Sequence, residues 1–250
     1  MMDTDSERYA LDVASAIAGV LGPQLTGVYL HGSGVLGGFD ARRSDVDVLA
    51  VSEGRMTAAQ LPAVAEALSE RRLPCPAQGL EMSVVTLDAA QHPTAGPAFE
   101  LHLTTAAGDT KVVDGRQRAG DADLVLHFAV CRSAGRLLGP GLLAAEVFGP
   151  VADGLILAQL ADELRWGAAN APGEYAVLNA CRAWRFAADR ALVSKLDGGR
   201  WALDRVTGAD LELIGTAVDR QRCAPAAELD PHAVRQFVER ALGYLAGATA

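Results

Sequence analysis

The sequence predicts an α+β protein in two parts, an N-terminal α/β domain over residues 1–145 and a C-terminal all-α helical bundle over residues 146–250. Three observations predict it. In the first half, short β-branched runs alternate with segments of helical period, and the second half is helical by pattern nearly throughout. Between the two, over residues 139–152, glycine and proline cluster as they do in linkers.

Taken in order, Tyr9, Val13, Ala16, Ile17 and Val20 fall at helical spacing over residues 6–21, and Gly22-Pro23 ends that helix. Strands follow at residues 28–31 and 46–51, separated by a glycine-rich turn and a short basic loop. Residues 57–72 are rich in Ala and Leu and read as a helix with Thr57 as its N-cap. A strand is expected at residues 80–87, and a hairpin of residues 97–105 and 111–113 around the Gly108-Asp109 turn. Residues 123–138 read as one helix, apolar nearly all round and stopped by Gly139-Pro140-Gly141. The C-terminal helices are expected at residues 152–167, 174–193, 201–206, 210–222 and 231–245, the last with Pro231 in its first turn and Asp230 as cap.

A net charge of −9 and the lack of a basic stripe argue against a nucleic acid as partner and suit a cationic small molecule. Cys75, Cys131, Cys181 and Cys223 form no C-x-x-C pair, so neither a zinc site nor a disulfide framework is expected. No apolar run reaches the length of a membrane span and the start lacks a secretory pattern, so a cytoplasmic protein without membrane contact is expected. A monomer is the expected state. His92 and His102 have no partners at ligand spacing and read as surface or packed histidines. Lys111 and Lys195 are the two lysines in a chain otherwise rich in Arg, which draws attention to each.

The chemistry gathers in residues 27–52. Asp45 and Asp47 are two apart on an expected strand, which puts both carboxylates on one face with Cα atoms about 7 Å apart. Such a pair is costly unless a cation lies between them, and hard oxygen ligands of this kind suit Mg²⁺, which completes its shell with water and phosphate oxygens. Gly32 and Ser33 open the preceding turn, where backbone N–H groups and a hydroxyl at a helix start would cradle a phosphate. On the strand at residues 80–87, Glu81 stands beside Met82, Val84 and Val85, so its carboxylate needs a wet or metal-bound sheet face.

Gly-Ser, eleven residues, then Asp-Val-Asp on a strand resembles the signature of the polymerase β-like nucleotidyltransferase superfamily. The resemblance implies a mixed sheet, a Ser that holds a triphosphate, paired Asp residues that bind Mg²⁺, and a third carboxylate on the neighbouring strand. In the aminoglycoside branch that third carboxylate, here Glu81, is the base for the acceptor hydroxyl. Farther on, AVLNACRAWR, LVSKLDGGRWALDRV and LLGP resemble the helical domain of the spectinomycin/streptomycin adenylyltransferase family, and the likeness spans residues 25–245. It implies that Arg182 and Lys195 reach the nucleotide's phosphates, Lys195 standing at a helix end just before LDGG.

The acceptor region departs from that family. Streptomycin-active members carry a Trp just after the strand that here ends in LTTAAGD, and Asp residues ahead of the CRAW helix, where this chain has only Glu174. Glu174 is therefore read either as a ligand for a substrate ammonium or as a helix-start carboxylate favoured by the dipole. The expected activity is Mg²⁺-dependent transfer of AMP from ATP to a hydroxyl of an aminocyclitol or aminoglycoside, spectinomycin-like in preference to streptomycin. The expected ligand set is Asp45, Asp47 and Glu81. A different acceptor hydroxyl, on another metabolite or a protein, and a silent nucleotide-binding regulator are the alternatives.

Overall fold

The computed structural model describes residues 2–248 and divides into two units, Met1–Val151 and Ala152–Ala250. In the first unit, α1 (Thr4–Leu21) is followed by β1 (Leu25–Leu30), α2 (Ser33–Leu36), β2 (Val46–Ser52), α3 (Gln60–Ala67), β3 (Leu80–Thr86) and α4 (Leu87–Gln91). Then come β4 (Leu101–Thr104), β5 (Lys111–Asp114), α5 (Leu124–Ala134), β6 (Arg136–Leu137) and α6 (Ala144–Val147). The sheet runs β5-β4-β3-β2-β1-β6. Only β2 and β3 are parallel and the other neighbours are antiparallel, so the sheet is mixed as expected.

Both faces of this sheet are covered, because alternate residues on each strand are apolar. Val46, Val48 and Ala50 on β2 and Met82 and Val84 on β3 pack against Tyr9, Val13 and Ile17 of α1 and Val64 of α3. On the opposite face Tyr29, Leu49, Val51 and Val85 meet Leu124, Phe128 and Cys131 of α5 and Val147 of α6. The unit break falls after α6, whose buried residues belong to the first core.

Two elements differ from their sequence-based expectation. The helix expected over residues 123–138 stops at Gly135, and Arg136–Leu137 instead pairs with Leu30 and Tyr29 at the sheet edge. Gly135 is the overlooked stop: a Cβ there would sit 2.5 Å from Cys131 O, so the chain leaves the helix where only glycine fits. The helix expected over residues 57–72 is shorter: Thr57 and Gln60 bond reciprocally in the turn ahead of it, with Gln60 N donating to Thr57 Oγ1 at 3.3 Å and Thr57 N to Gln60 Oε1 at 2.8 Å, and α3 begins only at Gln60. It closes early because Ser69 turns its hydroxyl back onto Glu66 O at 2.8 Å, a local bond that competes with helix propagation.

In the second unit, α7 (Asp153–Asn170), α9 (Lys195–Leu203), α10 (Ala209–Gln221) and α11 (Pro231–Ala248) all pack on α8 (Gly173–Asp189). Helix α9 approaches closely because it brings glycines to the contact: a Cβ on Gly198 would lie 2.9 Å from Arg182 N, and one on Gly199 2.8 Å from Leu178 Cδ2. Trp184 ties α8 to its neighbours from the half-buried flank of the bundle, edge-on to Trp201 at 5.0 Å and stacked on the exposed Tyr244 at 4.9 Å. Arg190 ends α8 in the left-handed region and donates to Asp153 Oδ2 at 2.9 Å and Ala187 O at 2.7 Å. No helix among the described residues is long and apolar enough to cross a membrane.

The segment after α5 is tied down by Tyr29, fully buried, whose hydroxyl donates to Leu142 O at 2.9 Å. Tyr29→Phe removes that bond and leaves a carbonyl under-satisfied, so it should cost about 1 kcal/mol. The check is a lower urea midpoint with an unchanged slope; an unchanged midpoint would show that the bond contributes nothing.

Candidate active site

The α5-side face of the sheet is apolar at one end and polar at the other. Along β2, Leu49 and Val51 lie in the core while Asp47, on the same face, is half-buried beyond it. The parallel register places Asp47 directly beside Glu81 of β3, and Glu81 is in turn opposite Thr104 of β4. Neighbouring strands are about 4.8 Å apart, so two carboxylates from adjacent strands share one small patch of sheet. Asp45 stands one residue before β2, half-buried, with its Oδ1 out of contact with solvent.

The glycine-rich turn meets this patch. His31 N donates to Asp47 O at 3.0 Å, which brings the end of β1 against Asp47. Gly32 follows with φ 56° and caps α2, which starts at Ser33 as expected. A Cβ on Gly32 would lie 1.9 Å from Asp47 Oδ2, so only glycine lets the turn and the carboxylate occupy their places. Ser33 thus sits at the opening of a short helix beside the carboxylate pair.

Oxygen donors of this kind suit a hard divalent cation. Among the described residues, however, no three His, Cys, Asp or Glu side chains form a group that could hold a metal ion. The expected set of Asp45, Asp47 and Glu81 is therefore not a closed cage. An open site still fits Mg²⁺, which takes one or two protein carboxylates and leaves its other positions to water and phosphate.

Histidines surround the patch, and sequence reasoning passed over most of them. His31 is buried, and its imidazole is held well below its ordinary pKa by that burial, then by the neighbouring His127. The His31 and His127 rings lie 4.7 Å apart. His102 shares a hydrogen bond with Ser83 Oγ at 3.1 Å, and burial lowers its pKa too, against the pull of Glu81. Glu81, His102 and His127 line one cavity of about 500 Å³, together with first-domain residues that include Lys111, Asp121 and Asp123. The available signal was periodicity: His127 interrupts the apolar stripe of Leu124, Phe128 and Cys131 on α5.

The other predicted residues belong to the second domain. Arg182, half-buried on α8, donates to Asn179 Oδ1 at 3.0 Å. Lys195 does not end a helix as expected but is the first residue of α9, after the Ser194 cap. A cation there opposes the helix dipole, and its ammonium rests over the Tyr175 ring at 4.0 Å. Glu174 is buried in the first turn of α8 and pairs with Arg220 at 3.1 Å, so its carboxylate is engaged within the bundle.

Comparison with known proteins agrees with this architecture. Residues 146–244 match the family described as aminoglycoside adenylyltransferase, C-terminal domain. The crystal structure of spectinomycin adenyltransferase AAD(9) from Enterococcus faecialis, with ATP and spectinomycin, superposes with a TM-score of 0.72 at 14% sequence identity, over 96% of this chain and 99% of that one. Among curated proteins none matches the chain in sequence.

The buried His31 makes stability depend on pH. Its folded pKa lies below the unfolded value of 6.5, so the unfolded chain takes up a proton first and stability falls as pH drops below about 6.5. One such group contributes at most about 1.4 kcal/mol per pH unit. His31→Gln should flatten the decline in denaturation midpoint between about pH 6.5 and 5 relative to the parent protein; an identical slope would mean that His31 does not titrate on unfolding.

Proposed function

Because residues 146–244 match the family described as aminoglycoside adenylyltransferase, C-terminal domain, and the chain shares its fold with a spectinomycin adenyltransferase, we propose that this protein transfers AMP from ATP to a hydroxyl of a cationic aminocyclitol. The observation that carries the reading is the in-register pair Asp47 and Glu81, with the bare Gly32 backbone closed onto Asp47. Asp45 and Asp47 would hold Mg²⁺, which would neutralise phosphate charge. Ser33 and the N–H groups of its turn bind phosphate oxygens.

Glu81 takes the proton from the acceptor hydroxyl. The oxygen then bonds to the α-phosphorus as the bond to pyrophosphate breaks, and pyrophosphate leaves with the electron pair. Arg182 and Lys195 are the cations assigned to the triphosphate. Lys195 suits the task because its place at a helix start favours an anionic partner. The net charge of −9 favours an amine-bearing acceptor, and spectinomycin over streptomycin follows from the absence of Trp in LTTAAGD. Glu174, held by Arg220, is not assigned to the acceptor.

Incubation with ATP, Mg²⁺ and a panel of aminocyclitols and aminoglycosides, read by mass, should add one AMP to spectinomycin; no adduct on any member would overturn the acceptor class. Asp47→Asn should abolish transfer with the circular dichroism spectrum unchanged, and full activity in that variant would remove Asp47 from the mechanism. Glu81→Gln should slow transfer by about 100- to 10,000-fold, while calorimetry finds ATP bound as tightly as before.

A further inference from the structure

His127 is the one polar residue in a stripe of α5 that is otherwise committed to the core. Leu124, Phe128 and Cys131, at helical spacing around it, are buried against the sheet. One side of its ring packs on His31, the residue just before the Gly32-Ser33 turn. It also lines the cavity of about 500 Å³ that Glu81 and His102 line. That volume is in the ordinary range for a small-molecule site. Among the described residues neither ring nitrogen of His127 hydrogen-bonds another group of the protein. Packing alone would be met by another Leu or Phe at this position. A group that can both donate and accept, turned to the cavity that holds the base, suits a ligand rich in hydroxyls and amines.

We infer that His127 is an acceptor-binding residue, its ring hydrogen-bonding the acceptor inside this cavity so that the reacting hydroxyl is presented to Glu81. The assignment rests on the function proposed above and adds to it a contact contributed by the first domain. It places part of the acceptor against α5 and leaves the nucleotide to the Gly32-Ser33 turn, so the two substrates should respond separately to substitution here.

The test uses the full chain with spectinomycin as probe. His127→Phe keeps a ring against His31 and removes the hydrogen bond. It should raise the KM for spectinomycin about tenfold while the KM for ATP stays within twofold, since one hydrogen bond is worth roughly a factor of ten. His127→Gln, which restores a donor and an acceptor, should recover part of that loss. An unchanged spectinomycin KM in His127→Phe, a change in the ATP KM instead, or equal effects of Phe and Gln would overturn the inference. Should the Phe variant not fold, His127→Leu gives the same reading. Calorimetry of spectinomycin binding separates the two proposals. If the parent protein binds spectinomycin but transfers no AMP, and binding weakens about tenfold in His127→Phe, the proposed reaction fails and the His127 contact stands. If the parent does not bind spectinomycin, both fail.

Discussion

The parallel pairing of β2 with β3 is the constraint on which the first domain's site depends. It sets Asp47 beside Glu81, a juxtaposition that electrostatics opposes, since like charges on adjacent strands raise each other's energy. The sheet tolerates it by keeping the pair at its polar end, past the last core residues Leu49 and Val85. A register slip of one residue would exchange Asp47 for Val46 or Val48 and bury a carboxylate among the helices α1 and α3. The apolar alternation of β2 and β3 therefore fixes the site as firmly as it fixes the core.

Around that pair, space is controlled by a residue with no side chain. Gly32 has both a left-handed backbone and a carboxylate oxygen where its Cβ would be. The same device recurs in the second domain, where Gly198 and Gly199 let α9 close on α8 at Arg182 and Leu178. In each case the close approach brings a charged group to a defined place: Asp47 beside the turn, and Lys195 at the start of α9 over the ring of Tyr175. A lysine at a helix start is held against the dipole, an expense the fold itself does not require.

Much of the site was legible because its signals are local. Gly32, Ser33, Asp45 and Asp47 lie within one strand-turn-strand stretch, and the character of Glu81 followed from its apolar neighbours on a single strand. What escaped was set by partners distant in sequence. His31 and His127 meet only because α5 crosses the strand end, and Arg136–Leu137 is a strand only because the edge of β1 is open to it. Apolar periodicity alone carried the helix past Gly135. Lys195 was placed at the wrong end of a helix because the Ser194 cap, whose hydroxyl accepts from Asp197 N at 3.1 Å, was not recognised in a glycine-rich segment.

By itself the sequence determined the α+β class, the helical second half and the identity of the acidic and glycine residues at the turn, since these depend on spacing along one element. The tertiary structure decided which carboxylates are neighbours, that they stand on adjacent strands and not in a closed cage, that Glu174 is engaged by Arg220, and that a histidine from α5 lines the same cavity as Glu81. The physical reason is register: a strand or helix pattern fixes which face a residue occupies, but only the pairing of one element with another fixes what it meets there.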